Sequence, residues 1–148
     1  MVMCDYFSAA SEEDAVGVLD EPGGPDGSVF DVLSLKGIDS VVVMARLEAL
    51  LTDRTYDEAG ARPRAGQLLS DPEAEGAFVI SVSDTLRDAP ASASADQLGA
   101  VAGPCADFEE LSAYGLPPTE ALEVLQLLSG LAGRAVAENR RLYCWWAL

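Results

Sequence analysis

The sequence predicts an α+β fold. It reads as a single domain over residues 1–148, with a small mixed β-sheet that includes both terminal strands and is packed by four or five helices. Three observations predict it. Both ends of the chain are short apolar segments rich in β-branched, aromatic and sulfur residues, V-M-C-D-Y-F-S at 2–8 and L-Y-C-W-W-A-L at 142–148. A third such segment, A-F-V-I-S-V, stands at 77–82. Between them lie runs with helical apolar spacing, and their order is not a regular strand–helix alternation.

The elements follow in order. Residues 2–8 read as a strand with Tyr6 and Phe7 on opposite faces. Ser11 caps a helix whose first turn holds Glu12, Glu13 and Asp14, where the helix dipole favours anions, and Ala15, Val16 and Leu19 form its apolar stripe. E-P-G-G-P-D-G-S at 21–28 is a connecting loop, since its prolines and glycines cannot continue a helix. Residues 29–35 are extended, and Gly37 ends them. Asp39 caps a helix over 40–51 in which Val43, Leu47, Leu50 and Leu51 mark the apolar face while Arg46 and Glu48 point away. Residues 52–75 form a mixed-charge loop, with one helical turn at 66–69.

A helix starts after the 77–82 strand at Ser83 or Asp84. Pro90 splits the following run into a short helix ending near Ala89 and a second over 94–102, where Ser94 and Gln97 have capping-box spacing. Gly103 and Pro104 open another loop that includes Cys105, and residues 107–113 form a turn or two. The longest helix runs over 119–138, with one stripe of Leu122, Leu125, Leu128, Ala132 and Ala135 and a second of Val124, Leu127 and Leu131. A helix apolar over so much of its circumference is buried on two sides or meets a partner.

Composition removes several functions. The chain has no histidine, so it has no Ser-His-Asp triad, no Cys-His pair and no His-ligated zinc. It carries 25 acids against 9 bases, a net charge of −16, which argues against direct nucleic-acid binding. The longest charge-free apolar stretch, 124–133, is too short for a membrane span, which needs about 20 residues. Cys4, Cys105 and Cys144 are odd in number and form no C-x-x-C, which predicts reduced thiols in a cytoplasmic protein. Residues 1–31 hold no base, so they lack the positive region of a signal peptide.

The motifs are weak. Asp71-Pro-Glu-Ala-Glu-Gly76 imitates half of a calcium loop, but Val82 stands where the twelfth-position glutamate belongs. The glycines at 23–27 lack the lysine of a phosphate loop. The acid pairs Glu12/Glu13 and Glu109/Glu110 point about 100° apart on a helix and do not converge. No catalytic residue, metal ligand or cofactor is therefore assigned.

Two segments carry a resemblance. M-V-M-C-D-Y-F at the start and I-D-S-V-V-V-M-A-R-L-E-A-L-L-T-D at 38–53 resemble the YfbM-like family of small bacterial domains of unknown function. Val2, Asp5 and Asp53 depart from that family's pattern, which has glycines there. The resemblance implies an α+β fold in a cytoplasmic bacterial protein and carries over no site residues.

The leading functional reading is a non-enzymatic binding protein whose acidic surface (Glu12, Glu13, Asp71, Glu73 and Glu75) engages a basic protein partner, or which self-associates through the 119–138 helix. The alternative is a small-molecule-binding domain with Tyr6, Tyr114, Tyr143 and Trp146 around a pocket near the terminal strands.

Overall fold

The computed structural model describes residues 3–113 and 115–147. Strands β1 (Met3–Ala9) and β4 (Arg141–Ala147) are the central pair of a 4-stranded sheet, flanked by β2 (Val32–Ser34) and β3 (Ala77–Ser81) in the order β2-β1-β4-β3. Both terminal strands are interior and adjacent, because their apolar side chains need cover on both faces. Tyr6 pairs with Cys144, and Phe7 with Tyr143. Every pairing is antiparallel, which corrects the expectation of a mixed sheet. A parallel neighbour needs a crossover to the far end of the sheet. Here the connections from β1 to β2 and from β3 to β4 each return the chain at the end it left.

Among the described residues, seven α-helices surround the sheet: α1 (Glu12–Val16), α2 (Val42–Thr52), α3 (Tyr56–Gly60), α4 (Asp84–Ser92), α5 (Ala95–Ala106), α6 (Glu109–Ser112) and α7 (Pro118–Ala137). Helix α3 lies in the segment read as a loop, and α6 is the turn expected within 107–113; each is about one turn. A Thr55 cap starts α3, its hydroxyl accepting from Glu58 N. The segment expected as a turn at 66–69 is instead extended. Leu69 N donates to Val79 O at 2.9 Å and Ser81 N to Gln67 O at 2.9 Å, which covers the outer edge of β3.

The caps at Ser11, Ser83 and Ser94 form as their sequences predict, Ser94 with Gln97 as a full capping box. Asp39 caps α2 by accepting from Val41 N at 2.9 Å and Val42 N at 2.5 Å. The split around Pro90 forms as expected, with α4 ending at Ser92 and α5 starting at Ala95, whereas Pro104 does not end α5. Pro90 lies inside the last turn of α4, where it removes one backbone bond, and its own carbonyl accepts from Ser129 Oγ at 2.7 Å. Helix α5 continues through Gly103 and Pro104, because Ala102, Cys105 and Ala106 are buried and hold that turn in place.

The sheet has a core on each face. Cys4, Tyr6, Ile80, Leu142 and Cys144 project into the larger one, beneath α2, α4, α5 and α7. Phe7, Val79, Tyr143 and Trp145 project to the other side, where α1, the following 3₁₀ turn (Gly17–Asp20) and the 21–31 loop cover them. That loop is therefore a packing element and more than a connector. Gly24 lies against the indole of Trp145, and its φ of +88° is open to glycine at little cost.

The apolar width of α7 is consumed internally. Leu125, Leu128, Leu131, Ala132 and Ala135 are buried against α4, α5 and the sheet. Leu127 and Val136 are its exposed large apolar residues among those described, and nine positions at about 100° each set them on opposite sides of the helix. They do not form one patch. No helix among the described residues is long and apolar enough to cross a membrane.

All three cysteines are buried and unbridged. Cys105, expected in an accessible loop, faces the interior from α5. Burial pushes its thiol up to about 11, and burial likewise raises that of Cys144. A thiol whose folded pKa is raised contributes stability that is fully present below its unfolded value, 9.0 here, and lost as pH rises through the folded value. The protein is expected to lose stability between about pH 9 and 11 and to react with a thiol reagent at pH 8 only as fast as it opens. Urea midpoints for wild type and Cys105→Ala across that range check the first point. An alkaline loss of the same size in both would remove Cys105 from the explanation.

Candidate functional site

A groove of about 850 Å³ runs between α1, its 3₁₀ continuation and the end of the 21–31 loop. Its apolar wall is Val16, Val18, Leu19, Val29 and Phe30, and Val29 is 67% exposed. Its rim carries Glu13, Asp14, Asp20 and Glu21. The sequence builds this locally. Ser11 starts α1 and places acids in its first turn, then the 3₁₀ turn tightens the chain so that Val18 points inward while Asp20 stays in water.

The loop side of the groove is held by four contacts. Gly24 rests on Trp145. Asp26 accepts from Ser28 N at 2.9 Å and Ser28 Oγ at 2.8 Å, which holds its carboxyl below the usual carboxylate range. Asp31 takes a bidentate pair from Arg134, at 2.6 Å from Nε and 3.2 Å from Nη2. Phe30 packs edge-on to Phe7 with ring centroids 5.5 Å apart. A surface held this way needs little ordering when a ligand arrives.

None of the four rim carboxylates pairs with a Lys or Arg among the described residues. Among the described residues the one base lining the groove, Arg140, stands 3.7 Å from Glu138. The groove thus offers an apolar strip bordered by unneutralised negative charge.

The residues singled out by sequence are distributed as follows. Glu13 is on the groove rim, whereas Glu12 turns to the opposite side of α1. Asp71, Glu73 and Glu75 are exposed on a separate turn, in which Asp71 accepts from Glu73 N at 2.9 Å, and none of them lines the groove. Tyr6 is buried on the helix-covered face, its hydroxyl donating to Ile38 O at 2.6 Å. Tyr143 is buried on the other face beside Phe7. Trp146 is on the Tyr6 face, tilted against Phe78 at 5.7 Å. Tyr114 lies outside the described residues. Tyr6 and Trp146 are therefore separated from Tyr143 by the sheet, and no common pocket holds these three. Alternation along the strands forces this, since Tyr6 shares a face with its partner Cys144, and Tyr143, the next residue along β4, points the other way.

Among the described residues two acids are buried, Asp5 and Glu48, and sequence reasoning placed Glu48 in solvent. Glu48, expected to face solvent, is 2% exposed. It accepts a short hydrogen bond from Ser83 Oγ and an ion pair from Arg62 Nε at 2.8 Å. Ser83 Oγ in turn accepts from Leu86 N at 3.1 Å. The signal was present: Met44, Leu47, Glu48 and Leu51 fall at i, i+3, i+4 and i+7, so Glu48 occupies a place in the apolar stripe. Both its oxygens are engaged by the fold, so the carboxylate braces α2 against the start of α4 and the segment after α3.

No protein-family model, no curated protein and no solved structure matches the chain.

Proposed function

We propose that the protein is a non-enzymatic binding protein whose acidic groove takes a Lys/Arg-rich, amphipathic segment of a partner protein. The observation that carries this reading is the pairing of an exposed apolar strip, centred on Val29, with four unpaired carboxylates at its border. The apolar strip supplies contact area, and the rim selects for basic side chains and steers their approach. The YfbM-like resemblance is retained as a proposal about ancestry, and the groove reading does not depend on it.

The test is fluorescence polarisation with a labelled Lys/Leu amphipathic peptide, alongside its Glu/Leu counterpart. Saturable binding of the basic peptide is expected, weakening as salt rises. Any basic peptide is attracted to a molecule of net charge −16, so two groups of variants decide the point. Val29→Ser, and separately Glu13→Gln with Asp20→Asn, should each weaken binding by about tenfold, which is about 1.4 kcal/mol. Substitutions at Asp71, Glu73 and Glu75 should change it little. If the 71–75 variants weaken binding and Val29→Ser does not, the groove is not the site.

A further inference from the structure

On the opposite side of α1 the electrostatics reverse. Arg64, Arg87 and Arg141 converge on one polar cleft of about 510 Å³, so three of the chain's 9 basic residues share a single hollow. They come from three separate segments: the turn after α3, helix α4 and the first residue of β4.

Two of the three guanidinium groups are fixed by the backbone of β4 and its approach. Arg64 Nη2 donates to Leu142 O at 3.4 Å, and its guanidinium lies over the Tyr143 ring, 5.1 Å from the centroid. Arg87 Nη1 donates to Arg140 O at 3.0 Å, and its Nε pairs with Asp88 Oδ1 at 2.8 Å. Arg141 is freer and more exposed. Arg64 also has a φ of +67°, a left-handed conformation that a non-glycine residue keeps only where surrounding contacts hold it.

Two acids line the cleft, Glu12 and Asp84, and neither hydrogen-bonds these donors among the described residues. Asp84 stands 3.7 Å from Arg64 Nε and 3.4 Å from Arg141 Nε, outside hydrogen-bond geometry in both cases. Arg64 Nε and Asp84 Oδ1 are buried polar atoms with no hydrogen-bond partner among the described residues. Buried polar atoms are nearly always paired, and a bound anion would give Arg64 Nε the hydrogen bond that Asp84 Oδ1, 3.7 Å away, does not make.

We infer that this cleft is an anion site that takes the phosphate group of a small phosphorylated ligand. One arginine suffices for a planar carboxylate. Three guanidinium groups approaching from separate segments match a tetrahedral dianion, which accepts from several directions. The cleft is larger than phosphate alone, which leaves room for the rest of a small ligand.

The experiment is a titration of the ¹⁵N-labelled protein with inorganic phosphate, pyrophosphate and acetate at matched ionic strength. It follows the backbone amides and the arginine Nε–Hε signals. Phosphate and pyrophosphate are expected to produce saturable shifts at Arg64, Arg87 and Arg141, and acetate is not. Arg141→Gln should weaken phosphate binding by about tenfold. Asp84→Asn removes the competing charge and should tighten it severalfold. The two variants thus move affinity in opposite directions, which general destabilisation cannot do. Equal response to acetate would overturn the phosphate assignment. Shifts located elsewhere, or unchanged affinity in both variants, would overturn the site.

Discussion

Glu48→Ala is expected to lower the free energy of unfolding by about 3 kcal/mol, measured by urea denaturation at neutral pH. The carboxylate is buried and receives two charge-assisted hydrogen bonds, from Ser83 and Arg62. Hydrogen bonds of this kind contribute about 1.5–3 kcal/mol each. Arg62 is 30% exposed and regains water when its partner is lost, so its share falls at the low end. Ser83 is buried and loses its acceptor outright. It also caps α4, so the loss reaches the first turn of that helix. Glu48→Gln should cost less, because the amide oxygen still accepts from Ser83. If both variants stay within about 0.5 kcal/mol of wild type, the brace does not hold α2 to α4.

Gly24→Ala is expected to destabilise by about 2–4 kcal/mol and to shift the Trp145 emission to the red. A β-carbon at residue 24 would stand 2.7 Å from Trp145 Cδ2, and the backbone there has a φ of +88°. The left-handed conformation costs an alanine about 1–2 kcal/mol, and overpacking against a fixed ring adds about 1–3. Gly23 separates the two effects. Its φ is +86°, yet nothing lies within 4 Å of its added β-carbon. Gly23→Ala should therefore show the backbone cost alone, about 1–2 kcal/mol, with tryptophan emission unchanged. Equal losses in the two variants would mean that the loop does not rest on the indole. Gly24→Ala should also weaken peptide binding, because the same loop carries Glu21 and Val29 to the groove.

Much of the fold was legible because its signals are local. Ser11, Asp39, Ser83 and Ser94 cap the helices that follow them, and each cap depends on a donor within four residues. The strands at both ends were legible from their apolar density, and so was their place inside the sheet. Pro104 misled because the burial of Ala102, Cys105 and Ala106 holds the turn around it in place. Of the site, Glu13 and the base-free stretch around it were visible. Val29 was not, since its exposure depends on where the 21–31 loop lies.

The sequence by itself determined the fold class, the helix starts, the exclusion of histidine chemistry and the excess of negative charge. These follow from composition and from interactions a few residues long. Only the tertiary structure decided how that charge is divided. It set Glu13 and Asp14 on one side of α1 beside an apolar strip, and gathered Arg64, Arg87 and Arg141 on the other. It also drew Glu48 into the core. Each of these placements depends on residues far apart in the chain, brought together by closing two cores around one sheet. Local propensity carries no record of such meetings.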